Sequence, residues 1–274
     1  MKIKTLVENT SNMSDLIAEH GLSFLIETEN ESLIFDTGQG NALLHNISKM
    51  NIDLMKVNKI ILSHGHYDHT GGLDKAISVF MDIAIYGHPD IFTKKYSRSK
   101  DRQRYIGIPF DKDYYREMGI KWRLDSTPIQ INEQIKTTGE IKRQTDYENI
   151  SDNLCVINNG IYDIDPLLDD LSLIVNTSKG ISVILGCCHS GIINTLMQVK
   201  AMTNDAPIYA IIGGIHLIGA SDERISRTID ALTKFDIQKM ALCHCTGFKA
   251  MARLYSAFGD RLIINNVGME IELD

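Results

Sequence analysis

Short apolar runs, broken by clusters of Asn, Asp, Thr, Ser and Gly, alternate along this chain with stretches of helical spacing. Residues 22–27 and 32–35 flank Thr28-Glu29-Asn30-Glu31, a pattern that predicts a hairpin running into Asp36-Thr37-Gly38. Over 41–50, Ala42, Leu43, Leu44, Ile47 and Met50 recur at helical intervals, and 57–62 reads as a short apolar strand. The pattern returns in kind after residue 150. Residues 154–157 and 161–162 flank Asn158-Asn159-Gly160, a strong hairpin signal, and 171–175 and 181–185 flank Asn176-Thr177-Ser178-Lys179-Gly180. Helices are predicted over 192–202, 224–235 and 249–258, with strands at 208–212, 240–242 and, last, 262–264.

Two strand-rich halves that each carry helices predict an α+β chain of two sheets packed face to face with helices outside. No repeat, low-complexity tract or Pro/Gly linker divides it, so residues 1–274 are expected to form one domain. At 43% hydrophobic and 23% charged residues, the composition excludes disordered, collagen-like and coiled-coil chains. A net charge of −7 argues against broad affinity for nucleic acid or anionic membrane. The first residues lack the apolar core of a signal peptide, and no run approaches the roughly 18 apolar residues of a membrane span. A cytoplasmic location without membrane partners is the expectation.

Four of the five cysteines lie beside a histidine, as Cys187-Cys188-His189 and Cys243-His244-Cys245. An odd number so arranged is unlike a disulfide framework and reads as reduced thiols. The chemistry enters with His64-Gly65-His66-Tyr67-Asp68-His69, directly after the 57–62 strand. In an extended exit His64 and His66 point to one side. Asp68 and His69 then follow at the start of a helix opening with Thr70-Gly71-Gly72-Leu73. Such a loop offers two imidazoles to one cation and a carboxylate plus an imidazole to a second, a donor set that suits Zn²⁺ and also Fe or Mn. A solvated histidine-rich loop is the plain alternative.

The segment 64–69 resembles the HxHxDH signature of the metallo-β-lactamase superfamily, and Leu33-Ile34-Phe35-Asp36-Thr37-Gly38 is similar to the element that precedes it there. The resemblance covers nearly the whole chain. Glu19-His20-Gly21-Leu22-Ser23, Gly186-Cys187-Cys188-His189-Ser190-Gly191, Gly213-Gly214-Ile215-His216-Leu217 and His244-Cys245-Thr246-Gly247 look like one branch of it. That branch holds the dihydropterin ribofuranosyl-aminobenzene phosphate synthases and many unassigned metal-dependent hydrolases. The resemblance implies a four-layer αββα sandwich with two mixed sheets, two divalent metal ions with Zn foremost, and His189 and His244 as ligands beside His64, His66, Asp68 and His69. Many relatives bridge their metals with an aspartate after the strand that here ends in Gly186. No carboxylate lies between Gly186 and Gly191, so His189, a thiolate or solvent must take its place.

Around that core, Cys187 and Cys188 cannot both face the metal if the segment is extended; Cys188 is a candidate neighbour of the ligands, with a buried thiol as the plain reading. His216 is a candidate catalytic residue alongside Asp68, while His20 and Asp36 are candidates to orient the ligands. Asp36 could equally stabilise only its own turn, and His20 could be a structural histidine.

Between residues 94 and 104, six cations stand against the single carboxylate of Asp101. Residues 92–125 are therefore a candidate lid or insertion. Lys94, Lys95, Arg98 and Tyr105 would then bind an anionic small-molecule substrate, though a solvated charged loop explains the run as well. A metal pair could activate water for hydrolysis of a phosphoester or other anionic substrate, the reading the signature supports most generally, or hold the diphosphate of a synthase reaction. A redox di-metal module and a nuclease are further alternatives. The sequence leaves the oligomeric state open.

Overall fold

The computed structural model describes residues 1–80, 83–158 and 160–274. Among these, the first sheet runs in the order Glu270–Glu272, Lys2–Val7, Ser23–Glu27, Ser32–Phe35, Val57–Ile61, Ala84–Gly87, Lys121–Leu124. The second runs Leu262–Ile264, Lys239–Leu242, Ile208–Gly213, Gly180–Leu185, Ser172–Thr177, Ile135–Thr137. Both are mixed. Ser32–Phe35, Val57–Ile61, Ala84–Gly87 and Lys121–Leu124 lie parallel to one another, as do Gly180–Leu185, Ile208–Gly213, Lys239–Leu242 and Leu262–Ile264, and antiparallel strands complete the other end of each sheet.

Side-chain alternation explains the layering. Phe24, Ile26, Leu33 and Phe35 of the first sheet meet Leu173, Val175, Ile184, Ala210 and Ile212 of the second in the middle of the molecule. Their strand neighbours Leu25, Ile34 and Ile60 face the other way, onto a cluster with Leu43, Ile47, Leu73 and Ala76 of the helices Leu43–Lys49 and Leu73–Val79. Ile174, Val183, Ile211 and Met240 pack likewise against Leu196, Ile225 and Leu254 from Ile192–Met202, Asp222–Leu232 and Phe248–Phe258. Three apolar clusters separate four layers, the αββα sandwich.

The sequence reading differs at several places. Lys2–Val7, Ala84–Gly87 and Lys121–Leu124 are further strands of the first sheet, and Glu270–Glu272, after the expected last strand, closes its edge against Lys2–Val7. Residues 154–158 and 161–164 do pair antiparallel, but they join Lys95–Arg98 and Gln103–Tyr105 in a separate four-stranded sheet. The expected turn there includes Asn159, which lies outside the described residues. Only part of the 92–125 segment stands apart in this way. Lys112–Glu117 carries the fully buried Tyr115 into the main core, and Lys121–Leu124 pairs with Ala84–Gly87. Among the described residues no helix is long and apolar enough to cross a membrane.

Candidate metal centre

The parallel strands deliver their chemistry from their carboxyl ends, the edge at which α/β sheets generally place ligands. Asp36 follows Ser32–Phe35; His64, His66, Asp68 and His69 follow Val57–Ile61; Cys187 and His189 follow Gly180–Leu185. His216 follows Ile208–Gly213, and His244 with Cys245 follows Lys239–Leu242. Asp36, Cys188, His216 and His244 all adopt left-handed backbone conformations, with φ of 61°, 57°, 42° and 53°. Strain of this kind, about 1–3 kcal/mol per residue, persists where surrounding structure fixes it and clusters at functional sites. Gly186 has no room for a side chain: a Cβ there would lie 2.2 Å from Ser63 Oγ.

Seven of the nine histidines converge at this edge. Donor atoms of His64, His66 and His189 lie within 4.8 Å of one another, as do those of His64, His69 and Cys187, and of His20, Asp68 and His244. Two further groups, Cys187-His189-His216 and Cys187-His244-Cys245, meet the same limit. His64, His66, His69, His189 and His244 are buried, whereas His20 is exposed at the rim, 3.2 Å from Asp68 Oδ2.

Outer hydrogen bonds fix the rings, as metal-binding histidines require. Asp36 Oδ2 accepts from His69 Nδ1 at 2.6 Å, and the same carboxylate accepts from the backbone N–H and hydroxyl of Ser63. With its proton committed to Asp36, the Ser63 hydroxyl accepts from His64 Nδ1 at 2.9 Å, which leaves His64 Nε2 unprotonated to accept from His66 Nδ1 at 2.9 Å. Asn9 Oδ1 does the same for His244 Nδ1 at 2.9 Å, and Glu8 accepts the His244 backbone N–H.

The donors fit a cation. His66 Nε2, His189 Nε2, His216 Nδ1 and His244 Nε2 are buried with no hydrogen-bond partner among the described residues, the last 3.4 Å from Asp68 Oδ2 without bonding geometry. Each such orphan costs about 1–3 kcal/mol, which coordination would offset. Burial lowers His66 to about 3 and drives His64 and His189 well below the ordinary histidine range, so all three are neutral at neutral pH, the form in which imidazole can bind a metal. Burial would lower His69 too, but the carboxylates of Asp36 and Asp68 raise it to about 9. Those carboxylates draw positive charge into the pocket. Burial raises Asp68, but the neighbouring imidazoles, His69 first, outweigh it and hold the carboxyl well below its usual range.

Other expectations are corrected. Cys188 does not face the cluster: its left-handed backbone turns it into the helix-side core, with Sγ 3.2 Å from Thr195 Oγ1, and Cys187 faces the histidines instead, 3.1 Å from His69 Nε2. Lys95 is no substrate cation. It is buried between Asp165 and Asp169 at 2.9 and 2.8 Å, and Asp169 also accepts the Gly65 N–H at 2.7 Å, bracing the histidine loop from behind. Tyr105 is turned away to donate to the Ile108 carbonyl and to pack on Tyr96. Lys94 is exposed, and Arg98 lies over the Tyr162 ring. Sequence reasoning favoured Cys188 over Cys187 and missed Cys245, Ser63, Asn9 and Asp169. The Cys-His clusters pointed to the two thiols, while the other three carry no local signature.

A cavity of about 790 Å³ opens on His189 and His216 and extends past Tyr147 and Ile218 to Arg224 and Arg227. Its size suits a bulky substrate. Arg224 Nε is buried there without a partner, and its Nη1 donates to the Asn149 carbonyl. A shallower groove of about 440 Å³, lined by Arg98, Lys100 and Tyr162, shares Asp152 and Asn153 with the cavity.

The comparisons with known proteins agree with this architecture. The sequence profile of the metallo-β-lactamase superfamily matches residues 16–149. The chain is 36% identical over 266 residues to the 7,8-dihydropterin-6-methyl-4-(β-D-ribofuranosyl)-aminobenzene-5′-phosphate synthase of Methanocaldococcus jannaschii, covering 91% of this chain and 89% of that one. An uncharacterised protein of the same archaeon, MJ0448, is 35% identical over 92% of this chain and 93% of its own. Among solved structures, Tm1679, described as a metal-dependent hydrolase of the β-lactamase superfamily, superposes with a TM-score of 0.85 at 27% identity over 100% of this chain and 99% of that one. With its strand-end histidines, its four layers and these relatives, the chain belongs to the metallo-β-lactamase superfamily.

Proposed function

We propose that the chain is a metal-dependent transferase of the dihydropterin ribofuranosyl-aminobenzene phosphate synthase type, joining an aminobenzene nucleophile to a pterin methylene with loss of diphosphate. The observation that carries this reading is the 36% identity to the archaeal synthase across nine-tenths of both chains. A cavity of about 790 Å³ against His189 and His216 gives two reactants room.

His64, His66 and His189 would hold one divalent cation, and Asp68 and His244 a second, Zn first by donor type and Fe or Mn next. Bound there, the cations supply Lewis-acid charge at phosphate oxygens. The chain's own groups do the rest. Asp36, Ser63 and Asn9 hold the imidazoles in their ligating tautomers, and His216 Nδ1, unpartnered at the cavity wall, takes or returns a proton. Arg224, which lines the cavity, orients an anionic group. The groove of Arg98 and Lys100 receives a more distant phosphate.

A second reading, hydrolysis of a phosphoester or related substrate, draws on the likeness to Tm1679. Incubation with a dihydropterin methyl diphosphate and a ribofuranosyl-aminobenzene phosphate, with and without chelator, separates the two. Chelator-sensitive formation of the joined pterin with release of diphosphate is expected. Absence of coupling, with chelator-sensitive turnover of phosphodiesters, phosphomonoesters, lactones or thioesters, would replace the transferase by the hydrolase.

A further inference from the structure

Among the described residues, Cys187 is common to three of the five donor groups at this edge. Its Sγ shares a 4.8 Å group with His64 and His69, another with His189 and His216, and a third with His244 and Cys245. His64 and His189 belong to the donor group completed by His66, whereas His244 belongs to the one completed by His20 and Asp68. Cys187 thus reaches both halves. It stands on the loop after Gly180–Leu185, where many relatives place a bridging aspartate, and no carboxylate lies between Gly186 and Gly191. The thiol is 97% buried and 3.1 Å from His69 Nε2. Cys245 belongs only to the group on the His244 side, with its Sγ donating to the Cys187 carbonyl at 3.5 Å, and Cys188 is in the helix-side core.

We propose that Cys187 is a thiolate ligand placed between the two cation positions, in the role a carboxylate fills elsewhere, and that it biases the centre toward thiophilic ions such as Zn²⁺, Fe²⁺ and Co²⁺ over Mn²⁺. The assignment rests on the metal-centre reading above. On ligation the sulfur–metal bond forms as the S–H bond breaks, and the proton leaves to solvent, so binding releases one proton from this residue. Soft sulfur donors favour such ions, whereas an all-oxygen and nitrogen bridge does not.

The test is titration of the chelator-stripped full chain with cobalt(II), because a cobalt–thiolate bond adds an intense near-ultraviolet charge-transfer band. The band is expected in the wild type and in Cys188→Ser and Cys245→Ser, and lost in Cys187→Ser. Cys187→Asp, which restores a bridging carboxylate, should still bind cobalt without the band and shift the cobalt-over-manganese affinity ratio by at least ~10-fold toward manganese. This variant reads the loss of the band on a protein that still holds metal, whatever becomes of the serine variant's fold. A band that survives Cys187→Ser, or wild-type protein that binds cobalt without one, overturns the assignment and leaves the metal centre standing. Wild-type protein that binds no cobalt overturns both.

Discussion

His64, His66 and His69 are buried, while Arg98, Lys100 and Arg102, about thirty residues further on, stand in solvent. Both segments are dense in polar groups, yet one is built into the interior and the other is left at its rim. The difference lies in what each side chain is given to bind. Every histidine of the first loop has a fixed partner or an inward-facing free nitrogen, and the exposed cations have a tyrosine face or water. Lys95 shows the rule from within the charged stretch itself, since two buried aspartates draw that one cation into the core. A polar residue is carried inside when the fold supplies its counter-charge, and local composition does not reveal which residue that will be.

The sharpest way to break the contrast is to remove donors from the buried side. His66→Ala and Asp68→Ala should each lose most bound metal and, with it, nearly all turnover, as read by elemental analysis and by rate. Full activity in a metal-depleted double variant would reject the centre. Next in size, Lys95→Met leaves Asp165 and Asp169 buried without their cation, a loss of about 3–5 kcal/mol by denaturant unfolding. The exposed pair Arg98→Ala and Lys100→Ala should shift stability by no more than ~0.5 kcal/mol. Equal losses in the two sets would show that burial does not separate them.

A third prediction concerns pH. Burial raises the Asp170 carboxyl to about 6, although the Ser190 backbone N–H donates to it at 2.8 Å. The folded chain then binds a proton more tightly than the unfolded one. This contribution to stability is full below about pH 4 and is lost as pH climbs through about 6, on the order of 3 kcal/mol in metal-free protein. Asp170→Asn should flatten that slope; an unchanged slope would place the titration elsewhere. The smallest effect belongs to the rim. Neutralising Arg98 and Lys100 should raise KM several-fold for a phosphate-bearing substrate and leave kcat and a neutral substrate untouched, whereas equal effects on both substrates would remove the groove from substrate binding.

What could be read in the sequence follows the same division. Residues 64–69 carry their meaning locally, because spacing along one strand exit decides which donors share a side. The central strands were legible for a similar reason: buried on both faces, they read as unbroken apolar runs. Lys2–Val7, one strand in from the edge, and the edge strand Lys121–Leu124 mix charges with apolar residues and carry no such mark. Cys187 and Cys188 could not be ranked, since the left-handed turn at Cys188 that parts them is a tertiary fact. Asn9 and Asp169 act on loops 235 and 104 residues distant, across contacts no local pattern encodes.

Anomalous diffraction from crystals of the purified protein, recorded across the zinc, iron and manganese edges, bears most directly on the convergence of these loops around bound cations. The account predicts one peak ringed by His64, His66 and His189 and a second beside Asp68 and His244, with Cys187 between them. Active protein whose crystals show no anomalous scatterer among those residues would contradict it.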